Sequence, residues 1–448
     1  MTSNTEIEEE LTSYLKSLAG SPEHIPLAAH HPCNNQTDTS SPPREVNPYL
    51  KDILSLEPSL EEIHNTISDL DNSASAWELS PRLIKLTANT TWTVPTRKGK
   101  KRLKREARRH QWELAQGITP QTSPIPQTYN KTYTAERAVN LLRMIVTLSF
   151  QSGDIPPSEK FGRLTGLPKA EGPLNSTDCM RPITVSPIIG RVINNVLAKR
   201  LGALLVKHKI LDPAQFSFLP GRNIHQAIES ILRCLHKSKH SENNSPGRAC
   251  YAVFYDISKA YDSIKWSSIQ NALFKIGAPD DFIDFVMSCL QGTQISMRTN
   301  VPGKTTPFIP MHKAIKQGCP LAPLLFIIVM NELHVEYRKI GGYTLDDSCT
   351  ISSRGYCDDT AILADNMQTL QRLNDCTTSF FNNTALSSTT QRHTSSAEML
   401  TAHPAPPPYD GRTNTPTSSY TPETTPTRFA TLACTSTWIS RGMSKSVA

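Results

Sequence analysis

The chain has 448 residues, of which 38% are hydrophobic and 34 are proline, and a formal net charge of +7. That length can bury a large core and hold more than one domain. The basic balance suits a polyanionic partner, because Lys and Arg displace counterions from phosphates, but it suits a mildly basic protein without one equally well. Ten cysteines without a C-x-x-C pair give no zinc knuckle or ribbon. The acidic start at Met1 to Glu10 is not a secretory signal, and no apolar run approaches the roughly 20 residues of a membrane helix. A reducing intracellular compartment, nucleus or cytoplasm, is expected, with free thiols and no membrane.

In chain order, residues 1–20 predict an amphipathic helix with Ile7, Leu11, Tyr14, Leu15 and Leu18 on one side. Residues 21–46 are polar and Pro-rich and read as linker, and helical patterns return between Asn47 and Leu86. Residues 97–109 hold nine basic side chains: Arg97, Lys98, Lys100, Lys101, Arg102, Lys104, Arg105, Arg108 and Arg109. Such a run predicts a nucleic-acid contact or an import signal, against the plainer reading of a solvated arm. A polar connector follows at 111–133. Helices are expected at 135–150 and, with a longer apolar stripe, at 187–209. A strand at 250–257 precedes helices at about 266–276 and 280–291, and Leu321 to Leu333 fits a buried helix behind Pro320. Residues 384–448 are dense in Thr, Ser and Pro and cannot offset their chain entropy by burial.

The carboxylates carry the chemistry. Tyr251-Ala252-Val253-Phe254-Tyr255 ends in Asp256, and Tyr356-Cys357-Asp358-Asp359 leads into the apolar run Thr360 to Ala364. The second stretch reads as a β-hairpin with its Asp pair at the turn, which brings both acids near one ion although neighbours in a strand point apart. Three carboxylates at the ends of two apolar strands suggest a two-metal phosphoryl-transfer site, with ions roughly 3.5–4 Å apart and Mg²⁺ as the hard cation. Each feature alone has a plainer reading, a strand-end cap for Asp256 and an ordinary turn for Asp358-Asp359.

The order of motifs resembles the reverse transcriptases of non-LTR (LINE-type) retrotransposons. Tyr255-Asp256-Ile257-Ser258-Lys259-Ala260-Tyr261-Asp262, Gln317-Gly318-Cys319-Pro320-Leu321 and Tyr356-Cys357-Asp358-Asp359 are similar to their three palm motifs. Leu167-Pro168-Lys169, Arg181-Pro182-Ile183 and Gln215-Phe216-Ser217-Phe218-Leu219-Pro220-Gly221-Arg222 are similar to their finger motifs. The resemblance implies an α+β polymerase right-hand fold with helical fingers, an antiparallel-sheet palm, and a thumb that is missing or unrecognisable. It implies two Mg²⁺ (or Mn²⁺) held by Asp256, Asp358, Asp359 and the Ile257 carbonyl. Tyr261 becomes the steric gate against the 2′-hydroxyl. Gln317 and Gly318 meet the incoming nucleotide, Lys169 and Arg181 grip its triphosphate, and Arg222 touches template backbone. Cys357 departs from the family, which commonly carries a small residue such as alanine there.

The expected divisions are 1–59, an N-terminal segment with linker; 60–250, fingers with the basic insertion; 251–383, the palm; and 384–448, a disordered tail. The tail lacks the family's Lys-containing strand-turn and helical thumb, which points to a frame change or misplaced intron near Asn383, the alternative being a natural disordered tail. The expected activity is RNA-directed DNA polymerisation from dNTPs on an RNA template and DNA primer. The alternatives are a non-catalytic RNA-binding remnant and a group II intron maturase-like or telomerase-like polymerase. The residues leave oligomeric state open.

Overall fold

The computed structural model describes residues 4–23, 25, 45–70, 81, 84–85, 92–95, 105, 109, 130–133, 136–168, 180–239, 249–299, 304–386 and 400–402. Helix α1 (Asn4–Ala19) forms where expected, and Leu11, Leu15 and Leu18 are buried. The carbonyl of Ala19 accepts the N–H groups of His312 and Lys313, which ties this helix to a distant loop. The helical signal between Asn47 and Leu86 yields α2 (Leu60–Ser68), preceded by turns at 48–55, and helical residues at 81 and 84–85. Ser59 caps it by accepting the Glu62 N–H at 3.0 Å, the Ser-x-x-Glu start signal. Arg200 then grips Glu62 with two bonds of 2.7 and 2.8 Å and holds α2 against a later helix.

Strands β1 (Trp92–Pro95) and β2 (Asn130–Tyr133) pair antiparallel and bracket the basic run. Within that run only Arg105 and Arg109 are described, both exposed, so Arg97, Lys98, Lys100, Lys101, Arg102 and Lys104 lie outside the described residues. Four of the predicted connector's residues therefore form a strand. Helices α3 (Glu136–Ser152) and α4 (Ile188–Lys207) follow the predicted stripes closely.

One four-stranded sheet has the order β4-β3-β6-β7, from β3 (Phe161–Pro168), β4 (Met180–Val185), β6 (Gln294–Met297) and β7 (Ile309–Pro310). Its β3–β6 pairing is parallel and the other two are antiparallel. Strands β6 and β7 lie inside the stretch expected to be purely palm, yet they complete the sheet begun by the fingers stretch. At four and two residues they are too short to leave a periodic signal.

A second sheet, all antiparallel, has the order β10-β11-β5-β12, built from β5 (Cys250–Asp256), β10 (Ser353–Tyr356), β11 (Asp359–Ala364) and β12 (Leu400–Ala402). Every residue of β11 is buried. Ile362 and Ala364 join Val253 and Tyr255 of β5 in the main core. Ala361 and Leu363 join Ala252 and Cys250 in a second cluster with helix α5 (Ile224–Lys239). Burial on both faces explains why these strands read as continuous apolar runs rather than alternations. Strand β12 falls within the expected disordered tail and pairs Leu400, Thr401 and Ala402 with Ala252, Tyr251 and Cys250. The rest of that tail beyond Leu386 lies outside the described residues.

Helices α6 (Ala260–Ser263), α7 (Trp266–Lys275), α8 (Asp280–Leu290), α9 (Ala322–Ile340) and α10 (Met367–Thr384), with the hairpin β8 (Tyr343–Asp346) and β9 (Cys349–Ile351), complete the α+β fold. Helix α9 runs about two turns beyond the apolar stretch that predicted it and buries Tyr337, whose hydroxyl lies 2.6 Å from Thr377 Oγ1 on α10. Among the described residues, no helix is long and apolar enough to cross a membrane.

Candidate active site

The β5 chain runs apolar through the core and reaches its first charge at its last residue, Asp256. The neighbouring strand β11 begins at Asp359, which stands directly opposite Asp256 in the ladder. Residues directly opposite on antiparallel strands share a face, and like charges so placed repel. Asp359 is only 2% exposed, whereas Asp256 and Asp358 are half-buried. The structure thus refines the expected hairpin: Cys357 and Asp358 form the two-residue loop between the pair Tyr356–Asp359, and Asp359 belongs to the strand.

Cys357 has φ 60° whereas Asp358 has no positive φ, the pattern of a type II′ turn, which glycine ordinarily begins. A non-glycine residue held there costs on the order of 1–3 kcal/mol. The Cys357 N–H donates to Ser217 Oγ at 2.8 Å. Its thiol lies 3.5 Å from the Tyr261 hydroxyl, so the tyrosine of α6 sits beneath the turn. The Tyr261 ring stacks on Phe326 of α9 with centroids 5.3 Å apart. Burial, then the neighbouring Cys357 and Asp358, push the phenol pKa upward and keep its proton on.

Gln317 Nε2 donates to both carboxylate oxygens of Asp262 at 3.2 Å, and the Gln317 carbonyl accepts the Thr184 N–H of β4 at 2.7 Å. Asp262, at the end of the first palm-like motif, thus has the Gln317 amide among its partners. Gly318 has φ 110°, and a Cβ there would stand 2.6 Å from the Thr184 carbonyl oxygen. Its close approach is therefore to β4, so this loop links β4 to Asp262 of α6. Arg181 lies on β4 and is exposed, whereas Lys169 lies outside the described residues. Arg222 donates to the Gln215 carbonyl at 2.5 Å and lies 5.9 Å from the Phe216 ring centre, so its guanidinium braces the chain that contacts Cys357.

Behind β10, His334 of α9 is fully buried, with Nδ1 2.9 Å from Ser353 Oγ. Burial pushes its pKa down to about 4. The sequence drew attention to neither His334 nor Ser217. Ser217 lay inside a recognised motif, but its partner is 140 residues away and no local pattern reports it.

The donors at the strand ends are hard carboxylate oxygens, chemically suited to Mg²⁺. Among the described residues, no three His, Cys, Asp or Glu side chains gather closely enough to hold an ion. Any ion here would take one or two carboxylates and complete its shell with substrate oxygens and water, the usual Mg²⁺ pattern. Ile257 follows Asp256 directly and its side chain is buried.

Among known proteins, the chain is 30% identical over 270 residues to the "Retrovirus-related Pol polyprotein from type-2 retrotransposable element R2DM" of Drosophila melanogaster, covering 59% of this chain and 24% of that relative. It is 29% identical over 244 residues to the "Retrovirus-related Pol polyprotein from type-1 retrotransposable element R2" of Popillia japonica, covering 54% of this chain and 32% of the relative. It is 23% identical over 233 residues to the "Probable RNA-directed DNA polymerase from transposon BS" of Drosophila melanogaster, covering 51% and 24%. The chain thus spans about a quarter to a third of the length of these relatives. Its backbone is similar to apo telomerase from Candida tropicalis truncated from the C-terminal domain, at a TM-score of 0.41 and 13% identity, over 63% of this chain and 58% of that one. Residues 167–394, half of the chain, match the reverse transcriptase (RNA-dependent DNA polymerase) family. The chain belongs to that family and carries a reverse transcriptase domain of the non-LTR, LINE type.

Proposed function

We propose that this chain is an RNA-directed DNA polymerase domain that adds dNTPs to a DNA primer 3′-hydroxyl on an RNA template. The observation that carries this reading is the strand register: it sets Asp256 beside the start of β11, one residue from Asp358 in the hairpin turn, with Tyr261 beneath that turn. Divalent ions, when bound, would polarise the attacking and leaving oxygens and offset charge on the transferred phosphoryl group. Asp256, Asp358 and Asp359 supply the negative field that attracts such ions, with the Ile257 carbonyl as a further oxygen. Tyr261 fills the space a ribose 2′-hydroxyl would need. Gln317 and Gly318 form the floor for the nascent base pair, and Lys169 and Arg181 neutralise the triphosphate. The basic run with Arg97, Lys98, Lys100, Lys101, Arg102, Lys104 and Arg105 contacts RNA backbone, as does the region of Arg222. In this reading, residues 60–250 act as fingers, 251–383 as palm, and 384–448 as a tail without a recognisable thumb, in an enzyme of the nucleus or cytoplasm.

The test is extension of a DNA primer on an RNA template with dNTPs and Mg²⁺ or Mn²⁺. Wild type extends and Asp358→Ala does not, while both bind the duplex. Binding without extension by wild type overturns the proposal and leaves an RNA-binding remnant.

A further inference from the structure

The loop that ends at Arg222 lies along the outer edge of β10. Phe216 N–H donates to the Gly355 carbonyl and Gly355 N–H to the Ala214 carbonyl, both at 2.9 Å. The Phe216 ring lies near the guanidinium groups of both Arg222 and Arg354, 5.9 and 5.7 Å from its centre. Two side chains in this loop, Gln215 and Ser217, are 0% and 1% exposed. Gln215 Oε1 accepts the Ser217 hydroxyl at 2.9 Å and the Ser217 N–H at 3.2 Å. A serine hydroxyl has one proton, so donating it to Gln215 leaves its lone pairs for a donor. That donor is the Cys357 N–H at 2.8 Å.

The bond falls on Cys357, which of the two turn residues is the one held at positive φ, next to Asp358. The β10–β11 and β11–β5 ladders set the strand register without it. They do not set the conformation of the two residues between the strands. We propose that Ser217, oriented by Gln215, is a positioning residue that holds the Cys357–Asp358 turn in the shape that presents Asp358 to substrate. The inference rests on the polymerase reading for its kinetic consequence and on geometry alone for its structural one.

Two measurements on purified protein separate these. In single-nucleotide extension, Ser217→Ala lowers kcat about tenfold or more by orphaning a buried N–H. KM for dNTP and affinity for primer–template stay within about twofold, and Ser217→Thr, which keeps the hydroxyl, recovers most of the rate. In amide hydrogen exchange, Ser217→Ala speeds exchange at the 356–359 turn while the β5 and β11 amides stay protected. The Ser217→Ala penalty also shrinks in the Cys357→Gly background, where positive φ carries no strain. If Ser217→Ala does not fold, the near-isosteric Ser217→Cys, a weaker acceptor, is read in the same way.

Wild-type rates and unchanged turn exchange in Ser217→Ala overturn the proposal. So does a fall in kcat, binding and melting temperature together that threonine does not repair, which marks a merely structural residue. If wild type extends no primer, the polymerase reading fails, and the exchange arm alone decides whether Ser217 holds the turn.

Discussion

The two four-stranded sheets differ in how they are made and in what they present. The β10-β11-β5-β12 sheet is antiparallel, and at one edge of its central strands β5 ends and β11 begins with a carboxylate. The β4-β3-β6-β7 sheet mixes one parallel with two antiparallel pairings and draws its strands from residues 161 to 310. It carries exposed Arg181 and meets the first sheet's site at Gly318. One sheet concentrates negative charge, and the other carries an exposed cation. A phosphoryl-transfer site needs both, since carboxylates recruit cations and basic groups stabilise the anionic substrate.

The largest expected break in that contrast is Asp256→Asn. Extension should fall by at least about 10²–10³-fold, while the melting temperature holds or rises because repulsion against Asp359 is removed. A parallel activity assay and thermal melt decide this, and unchanged activity would remove Asp256 from the site.

His334 tests the back of the carboxylate sheet through pH. Its folded pKa is depressed to about 4 from 6.5, so the folded state binds fewer protons than the unfolded state between those values. Its contribution is complete above pH 6.5 and is lost as pH falls toward 4, on the order of 3 kcal/mol. Urea unfolding between pH 4 and 7 should show this slope in wild type and a flatter one in His334→Gln.

At the junction of the sheets, Gly318→Ala forces a Cβ against the Thr184 carbonyl at φ 110°. Backbone strain alone predicts a loss of about 1–3 kcal/mol, read by denaturant melts; a neutral result would mean the loop's approach to Thr184 is not tight. Tyr261→Ala sharpens the division of labour by admitting ribonucleotides. Discrimination between dNTP and rNTP should fall by about 10–100-fold in competing-substrate assays, alongside a stability loss of about 2–4 kcal/mol from the packing lost against Phe326. The smallest effect belongs to the exposed Arg233–Glu229 pair on α5, at 2.6 Å. Glu229→Ala should shift stability by no more than about 0.5 kcal/mol.

Legibility in the sequence followed the same contrast. Long stripes and runs such as Ile188–Lys207 and Cys250–Asp256 announce themselves, because one helix or strand supplies the whole pattern. Strands of two to four residues such as β6, β7 and β12 do not, since their pairing partners decide their state. The carboxylates were readable as strand ends, but their register was not. Gln215 and Ser217 were visible as letters of a motif, whereas their task depends on a hydrogen bond across 140 residues.

The interleaving of the sheets has a consequence for how the chain folds. Strand β5 lies in sequence between β4 and β6, so the sheet that β3 begins cannot close until residues 294–310 have been made. By then β5 is already present, waiting for β11 some hundred residues after it. Neither sheet can serve as a finished template for the other, and both depend on non-local closure, the slow and association-prone class of folding step. A cut at residue 250 or 251 does not release two domains; it leaves β3 without β6 in one fragment and Gln317 without Thr184 in the other.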